Sequence, residues 1–567
     1  MASIPLVFSN WTQRPLARLI PFGLGAFLFL WAVAYFAWPT HGPHTLPSLE
    51  LDVSFPPQPL PPGRGGKKWP IRANAVRRAF LHSYDGYKKH AWASDELLPL
   101  SNSSVNNFNG WGVTLVDGLD TMWIMGLYRE FYETIPVIAK MDFYLDENSF
   151  APFFETVIRY LGGLLSAYAL SGEPILLARA DDLGRMLSPA FNTSSGLPRF
   201  SVNTVTGKTK QAWGDGTALL AEALSCQLEY KYLAHLTGRR DYFHNVDRLM
   251  DVIRDANVPG YKFPTIWDYN EGIPANEQFS AGAFADSAYE YLLKQYLLTS
   301  KSESKVHDLY LHVANSVIEN LLYITPNRRL LYVTDTNNDN PSHKFEHLSC
   351  FLPGLLALGA HTLDLPARDA QIHMWAAEGL AYTCWMTYAD QPSGLGPDEV
   401  NMVPMPKSDE NPRGGLWVDH LERWERTRSP VPPGLERVPP LLQGERDYSM
   451  RKPGYFLRPE AVESMYLLWR ITGDEAWRER GWAVFQALER ETKTSSGYAS
   501  LSSVERTPAS KKDEMPSFFM AETLKYLYLL FTDEEIIPLN QWVFNTEAHP
   551  LPIFEWSEWE KSEYGIH

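Results

Sequence analysis

Four apolar helical stretches carry acids where a helix that only packs would not. In Phe153-Phe154-Glu155-Thr156-Val157-Ile158-Arg159-Tyr160, Glu155 and Arg159 stand one turn apart on one face. Taken alone, that pair reads as a structural ion pair. Asp286 opens the helix of Ala285-Asp286-Ser287-Ala288-Tyr289-Glu290-Tyr291, where a simple N-cap would account for it. Arg458-Pro459-Glu460-Ala461-Val462-Glu463 puts Pro at the first helical position, Glu460 in the first turn and Glu463 on the same face. The positive helix end and Arg458 should hold Glu460 ionised, as a base requires. Ser517-Phe518-Phe519-Met520-Ala521-Glu522 begins another helix with an acid inside it.

A fifth stretch, Val543-Phe544-Asn545-Thr546-Glu547-Ala548-His549-Pro550-Leu551-Pro552, cannot be a helix because of its prolines. Its apolar flanks should bury it as a turn, and buried non-helical carbonyls need partners. A hard cation is one such partner, and Thr546 offers both a hydroxyl and a carbonyl oxygen. Were these acids to converge beside Thr546, the pocket would repel anions while a divalent cation offset its charge. Paired acids around a neutral polyol are what glycoside hydrolysis requires.

Composition narrows the field. The 567 residues are 45% hydrophobic with a net charge of −16, which supports a large core and argues against a nucleic-acid partner. Aromatic content is 13%, with 19 Trp, mostly for the core but also suited to stacking on sugars. There are three cysteines, Cys226, Cys350 and Cys384, so this is no disulfide-rich scaffold. One pair plus one buried thiol is the economical reading for a lumenal domain. No Cys/His cluster suggests zinc, and no glycine-rich phosphate loop is present.

Residues 19–38 are uncharged and mostly apolar, long enough for a ~30 Å hydrocarbon core. Arg14 and Arg18 precede this run and no basic residue follows until Arg64, which predicts a single-pass type II anchor: a cytoplasmic tail over 1–18 and all else lumenal. The length of the run and its lack of a small-residue cleavage site favour an uncleaved anchor over a signal peptide. Residues 39–70, rich in Pro and Gly, read as a stem, and 71–567 as the folded domain. Lumenal glycosylation sequons fall at Asn102 and Asn192.

From residue 71 the pattern is helical almost throughout. Helices run out at Gly126, Gly172, Gly238, Ser300, Gly359, Gly473 and Asp533, seven stops that mostly leave room for a helical hairpin each. Seven hairpins predict an all-α toroid, although two helical domains would give similar spacing. A polar, Pro- and Gly-rich stretch at about 405–454 reads as an inserted loop.

At these motifs the chain resembles glycoside hydrolase family 47, the class I α-1,2-mannosidases (mannosyl-oligosaccharide 1,2-alpha-mannosidases) that trim high-mannose N-glycans. The resemblance runs from about 75 to 556 and includes Ser83-Tyr84-Asp85-Gly86-Tyr87, Leu161-Gly162-Gly163-Leu164-Leu165, Ala285-Asp286-Ser287, His347-Leu348-Ser349-Cys350-Phe351-Leu352-Pro353-Gly354, Arg458-Pro459-Glu460 and Phe544-Asn545-Thr546-Glu547-Ala548-His549-Pro550. It implies an (α/α)7 barrel, an inverting reaction in the endoplasmic reticulum or Golgi, and Ca2+ ligated by Thr546. Glu155 would be the general acid through a water and Glu460 the base, with Asp286 a competing acid. Arg159, His347, Arg458, Glu463, Phe518, Glu522 and Glu547 would line the sugar site, Phe518 by stacking. Cys350 and Cys384 match the family's disulfide, leaving Cys226 free.

Three departures from the family pattern stand out. Phe284 sits where related enzymes carry Arg or Leu. It cannot hydrogen-bond a glycan arm, which leans towards trimming more than one mannose. Asp398 replaces a Glu also proposed as a catalytic acid, with Glu399 beside it as a substitute. The 405–454 insertion is long for the family. Two other functions compete: a glycan-recognising degradation factor of the same family, from a branch that tends to lack the Cys350/Cys384 pair, and a helical scaffold whose acids are structural.

Overall fold

The computed structural model describes residues 68–566, apart from 212–215, 428–429 and 443. The expected tail, anchor and nearly all of the stem lie outside the described residues. Among the described residues no helix is long and apolar enough to cross a membrane. The first helix, Lys68–His90, begins three residues before the position expected for the folded domain.

Seven helices form an inner ring, each packed against one outer helix. The first three pairs are Leu119–Ile124 with Tyr128–Ile138, Gly162–Ser171 with Pro174–Leu187, and Gln227–Thr237 with Arg240–Asp255. The next three are Asp286–Leu298 with Ser304–Leu321, Leu352–Thr362 with Ala367–Ala389, and Glu460–Thr472 with Glu475–Glu491. Leu524–Phe531 is the seventh inner helix, and its outer partner is Lys68–His90 from the other end of the chain. Each inner helix touches the next, and Phe519–Thr523 returns to Leu119–Ile124 to close the ring. This is the expected (α/α)7 arrangement.

Six of the seven sequence stops mark inner-helix C-termini. Gly172, Gly238 and Gly473 cap in the left-handed conformation, which glycine adopts without a Cβ penalty. Gly359 is the exception, because its helix continues to Thr362. A Cβ there would lie 2.3 Å from the Tyr310 hydroxyl, so this glycine answers a close helix approach rather than a helix end.

Two other expectations change. The fold is not purely helical: among the described residues seven small antiparallel sheets of two or three strands join the helices. Strands this short show little alternation, so they left no clear period in the sequence. The 405–454 stretch is likewise more than a loop. It contains the helix Trp417–Thr427, packed on Ser304–Leu321, and the strand Tyr448–Lys452, paired with Glu399–Met402. The Trp417 indole donates to Pro433 O at 2.7 Å, and Arg328 ties Asp390 to the carbonyls of Pro439 and Arg446. Cys350 and Cys384 form a disulfide, and Cys226 is free and buried.

Candidate active site

Because each inner helix returns through an antiparallel outer helix, the inner helices all run in one direction. Their N-termini, each carrying roughly half a positive charge, therefore gather at one end of the ring. The acids singled out from the sequence sit there. Asp286 and Glu460 are the first residues of their helices, and Glu522 lies in the segment leading into another. Asp286 is thus not an N-cap: Ala285 holds that place, and the Asp286 carboxylate accepts from the next N–H, Ser287, at 2.9 Å. Pro459 likewise stands one position before the helix, not at its first residue.

Two stretches here are π-helical, Thr156–Leu161 directly after Glu155 and Phe519–Thr523 around Glu522. Such bulges re-aim side chains and recur at functional sites.

The contacts join these groups into three sets, and Glu522 feels the charges of all three. Arg159 Nε donates to Glu155 Oε2 at 2.8 Å, and its Nη1 pairs with Glu547. The same guanidinium lies 5.8 Å from the Phe518 ring centre. His347 Nδ1 is 2.7 Å from Glu460 Oε2. Arg458 binds Asp398 at 3.0 Å and stands 3.7 Å from Glu460. Glu463 accepts from the Tyr526 hydroxyl at 3.3 Å and faces Lys294 at 3.7 Å. Glu399 is engaged instead by Arg451 and Lys452, so its substitution for Asp398 finds no support.

Thr546 occupies the turn of a hairpin formed by Trp542–Phe544 and Pro550–Pro552, which packs against the inner helices Asp286–Leu298 and Gly162–Ser171. Gly162 and Gly163 admit it: a Cβ on Gly162 would come within 2.5 Å of the Asn545 amide. The turn is held from beneath by buried polar groups. Asn545 Oδ1 accepts from the N–H groups of Glu547 and His549, while its amide donates to Ile158 O and Glu229. His549 lies 2.7 Å from Asp120 and 3.3 Å from Asp117, and Lys525 bonds both Asp120 and Ala548 O. Burial would lower the His549 pKa, but Asp120 and Asp117 outweigh it and raise it to about 9, so the ring is charged at neutral pH. These side chains are wholly enclosed. Breaking a buried charge network typically costs about 3–5 kcal/mol, so Lys525→Met should lose about that much in denaturant unfolding. A loss below about 1 kcal/mol would mean that the network does not hold the turn.

The electrostatics divide the acids. Burial alone would raise Glu460, but the hydrogen bond and charge of His347, then Arg458, hold it below the ordinary glutamate range. The Glu460 ion is thus kept chiefly by His347, with Arg458 the lesser contributor. Burial pushes Asp286 up to about 7, and the carboxylates of Glu346, Glu290 and Glu460 add to this despite the Ser287 N–H. Glu463, Glu522 and Glu547 are also raised, by burial and by neighbouring acids, although Lys294 or Arg159 opposes the rise at each.

Phe284, just before Asp286, is 41% exposed and holds a left-handed φ of 80°, a costly conformation for a bulky residue. Asn102 and Asn192 are exposed, and neither contacts the acid cluster: Asn102 accepts from Ser496, and Asn192 ends a short helical turn.

Several participants escaped the sequence reading. Glu222 lines a cleft with Phe154, Arg199 and Phe200, and its carboxyl is raised to about 7 by burial and by Glu155. Lys294 pairs with Glu290 beneath Glu463, and Tyr388 binds His347 at 2.5 Å. Lys294 had a signal, a lone cation at i,i+4 from Glu290 in an apolar helix. Glu222 and Tyr388 sit in unremarkable local sequence, and only the fold brings them to the cluster.

Comparison with known proteins agrees with this arrangement. Residues 79–553 match the model of Glycosyl hydrolase family 47. The chain is 37% identical over 524 residues to the endoplasmic reticulum mannosyl-oligosaccharide 1,2-alpha-mannosidase of Homo sapiens, covering 90% of this chain and 68% of that protein. It is 35% identical over 489 residues to the mannosyl-oligosaccharide alpha-1,2-mannosidase IA of Drosophila melanogaster, covering 85% and 67%. An alpha-1,2-mannosidase structure from Trichoderma reesei superposes with a TM-score of 0.73 at 29% identity, over 86% of this chain and 99% of that one. A ring of seven helix pairs with acids gathered at one end, matched by sequence over most of its length, places the chain in glycosyl hydrolase family 47, and it is a glycoside hydrolase.

Proposed function

We propose that this enzyme is a calcium-dependent, inverting α-1,2-mannosidase that removes terminal α-1,2-linked mannose from high-mannose N-glycans. The observation that carries this reading is the contrast between Glu460, held ionised by the His347 and Arg458 contacts, and Asp286, which burial raises to about 7. Acid and base roles are found where environments drive two carboxyls apart in this way.

Glu460 takes a proton from the attacking water, and its bond to His347 fixes the direction of the accepting oxygen. Two carboxyls can supply the proton to the leaving sugar oxygen. Glu155, 35% exposed and the more open, would act through a water. Asp286, raised to about 7 by burial, holds its proton for part of the time at neutral pH. An inverting pair needs roughly 6.5–9.5 Å between carboxyls to seat that water. Phe518 and Arg159 present a flat apolar and cationic wall to the sugar, while Glu463, Glu522 and Glu547 offer acceptors for its hydroxyls. Asp398 is read as orienting Arg458 beside Glu460.

The residues around Thr546 fit a hard cation. Carboxyls raised by burial and by neighbouring acids at Glu463, Glu522 and Glu547 mark a place where positive charge is favoured. Since no cluster of three His, Cys or carboxylate ligands forms among the described residues, the ion would rest mainly on Thr546 oxygens. Thr546 would hold Ca2+ through its hydroxyl and carbonyl, with waters and sugar hydroxyls completing the shell. Bound there, the ion supplies charge neutralisation and a template for two sugar hydroxyls.

Phe284 at the rim gives a glycan arm an apolar contact without a hydrogen bond, which favours release of several mannoses over one. The N-terminal run at 19–38 is read as a type II anchor in an endoplasmic reticulum or Golgi membrane, with the catalytic ring lumenal. The disulfide at Cys350–Cys384 speaks against the degradation-factor alternative.

Substitution and pH together separate the two donors. α-Mannosyl fluoride needs no protonation on leaving, so the variant of the true donor should keep turning it over while losing glycan hydrolysis. Glu155→Gln and Asp286→Asn are expected to differ in this respect. If Asp286 is the donor, the alkaline limb of kcat/KM falls near pH 7 and disappears in Asp286→Asn. Should neither variant retain fluoride turnover, neither carboxyl is the acid.

A further inference from the structure

Behind Glu460 and His347 stands Tyr388, a group that the reaction as described does not use. His347 presents Nδ1 to Glu460 Oε2 at 2.7 Å and Nε2 to the Tyr388 hydroxyl at 2.5 Å. An ionised carboxylate has no hydrogen to give, so Nδ1 must carry the proton in that bond. The Tyr388 hydroxyl, which can donate or accept, meets Nε2 whether that nitrogen is bare or protonated. Tyr388 is fully buried, and its ring is closely fitted: a Cβ on Gly396 would approach it within 2.5 Å.

The covalent frame holds both ends of the relay. Cys350 follows His347 by three residues, and Cys384 precedes Tyr388 by one helical turn on the same face. The disulfide between them ties the His347 segment to the Tyr388 helix.

We propose that Tyr388 is a positioning residue for the base, its hydroxyl fixing the His347 ring so that Nδ1–H is aimed at Glu460. This rests on Glu460 being the base. The other groups facing the relay are accounted for. Arg458 lies 3.7 Å from Glu460, and Asp286, Glu463 and Glu522 act on it as like charges at longer range. Asp398 meets His347 through its backbone carbonyl at 2.9 Å. Tyr455 packs its ring against both aromatic rings, with centroids 6.4 Å from His347 and 6.0 Å from Tyr388. None of these reaches Nε2, so Tyr388 holds that edge of the ring.

The test is Tyr388→Phe, which keeps the ring and removes the hydroxyl. It should lower kcat roughly 10- to 100-fold, the size seen when a group orienting a reactive residue is lost, with KM changed less than about twofold. The acid limb of kcat should move to higher pH, because a misaimed His347 no longer stabilises the Glu460 carboxylate. Tyr310→Phe removes a buried hydroxyl on the outer helix Ser304–Leu321, away from the relay, and should leave kcat and the limb in place. A Tyr388→Phe enzyme with the parent kcat and pH profile would overturn the proposal, as would an equal shift in Tyr310→Phe. Glu460→Gln run alongside separates the two levels: if it stays active, the assignment of the base has failed rather than the relay. Should Tyr388→Phe not fold, ring 15N shifts of His347 in the parent enzyme decide the matter. Protonated Nδ1 is expected, and a bare Nδ1 would refute it.

Discussion

Glu460→Gln should cut kcat on a high-mannose glycan by roughly 10²–10⁴-fold while glycan binding persists. The two side chains are nearly the same shape, and the amide oxygen can still accept from His347 Nδ1. What is lost is the ability to take a proton from water. Because Glu460 is held ionised by His347 and Arg458, the parent base is available well into acid solution, and the variant has no substitute within that contact set. Product profiling by mass gives the rate and calorimetry gives the affinity. A helical scaffold with merely structural acids would show the same properties before and after substitution. A fall in affinity matching the fall in rate would instead make Glu460 a binding group.

Chelation should have the second largest effect. An ion bound only to the folded state stabilises it by mass action, about 2.7 kcal/mol at a hundredfold excess over Kd. Removing calcium should therefore lower the thermal midpoint and abolish glycan hydrolysis together. It would leave Glu463, Glu522 and Glu547 buried and facing one another, with Lys294 and Arg159 as their nearest cations. Thr546→Ala should reproduce both losses and make the midpoint insensitive to chelator. Calorimetric scans with and without chelator read the first effect, and mannose release reads the second. An unchanged midpoint together with sustained activity would remove calcium from the account.

Much of this was legible in the sequence because the ring repeats itself. Seven inner helices must each end where an outer helix begins, and glycine or a turn marks that point in nearly every case. Gly359 misled because a glycine demanded by the Tyr310 hydroxyl looks the same as one demanded by a helix end. The short strands were missed because two or three residues cannot show a period. The insertion read as a loop because its order comes from distant partners, Arg328 with Asp390 and Trp375 with Trp424. In the site, Glu155 with Arg159 and Glu460 with Glu463 were visible as local spacings. The partners that set their behaviour were not: Glu547 for Arg159, His347 for Glu460 and Lys294 for Glu463 lie far apart in sequence or in other helices. Local pattern found the charged groups, and only the closed ring shows which of them stay ionised.

The most direct measurement follows a nine-mannose N-glycan in the presence of the enzyme, reading product masses and the anomeric form of the first released sugar by proton NMR, with calcium and with chelator. The account predicts loss of terminal α-1,2-linked mannose alone, released first as the β anomer and only when calcium is present. Release as the α anomer, or release unaffected by the chelator, would contradict it.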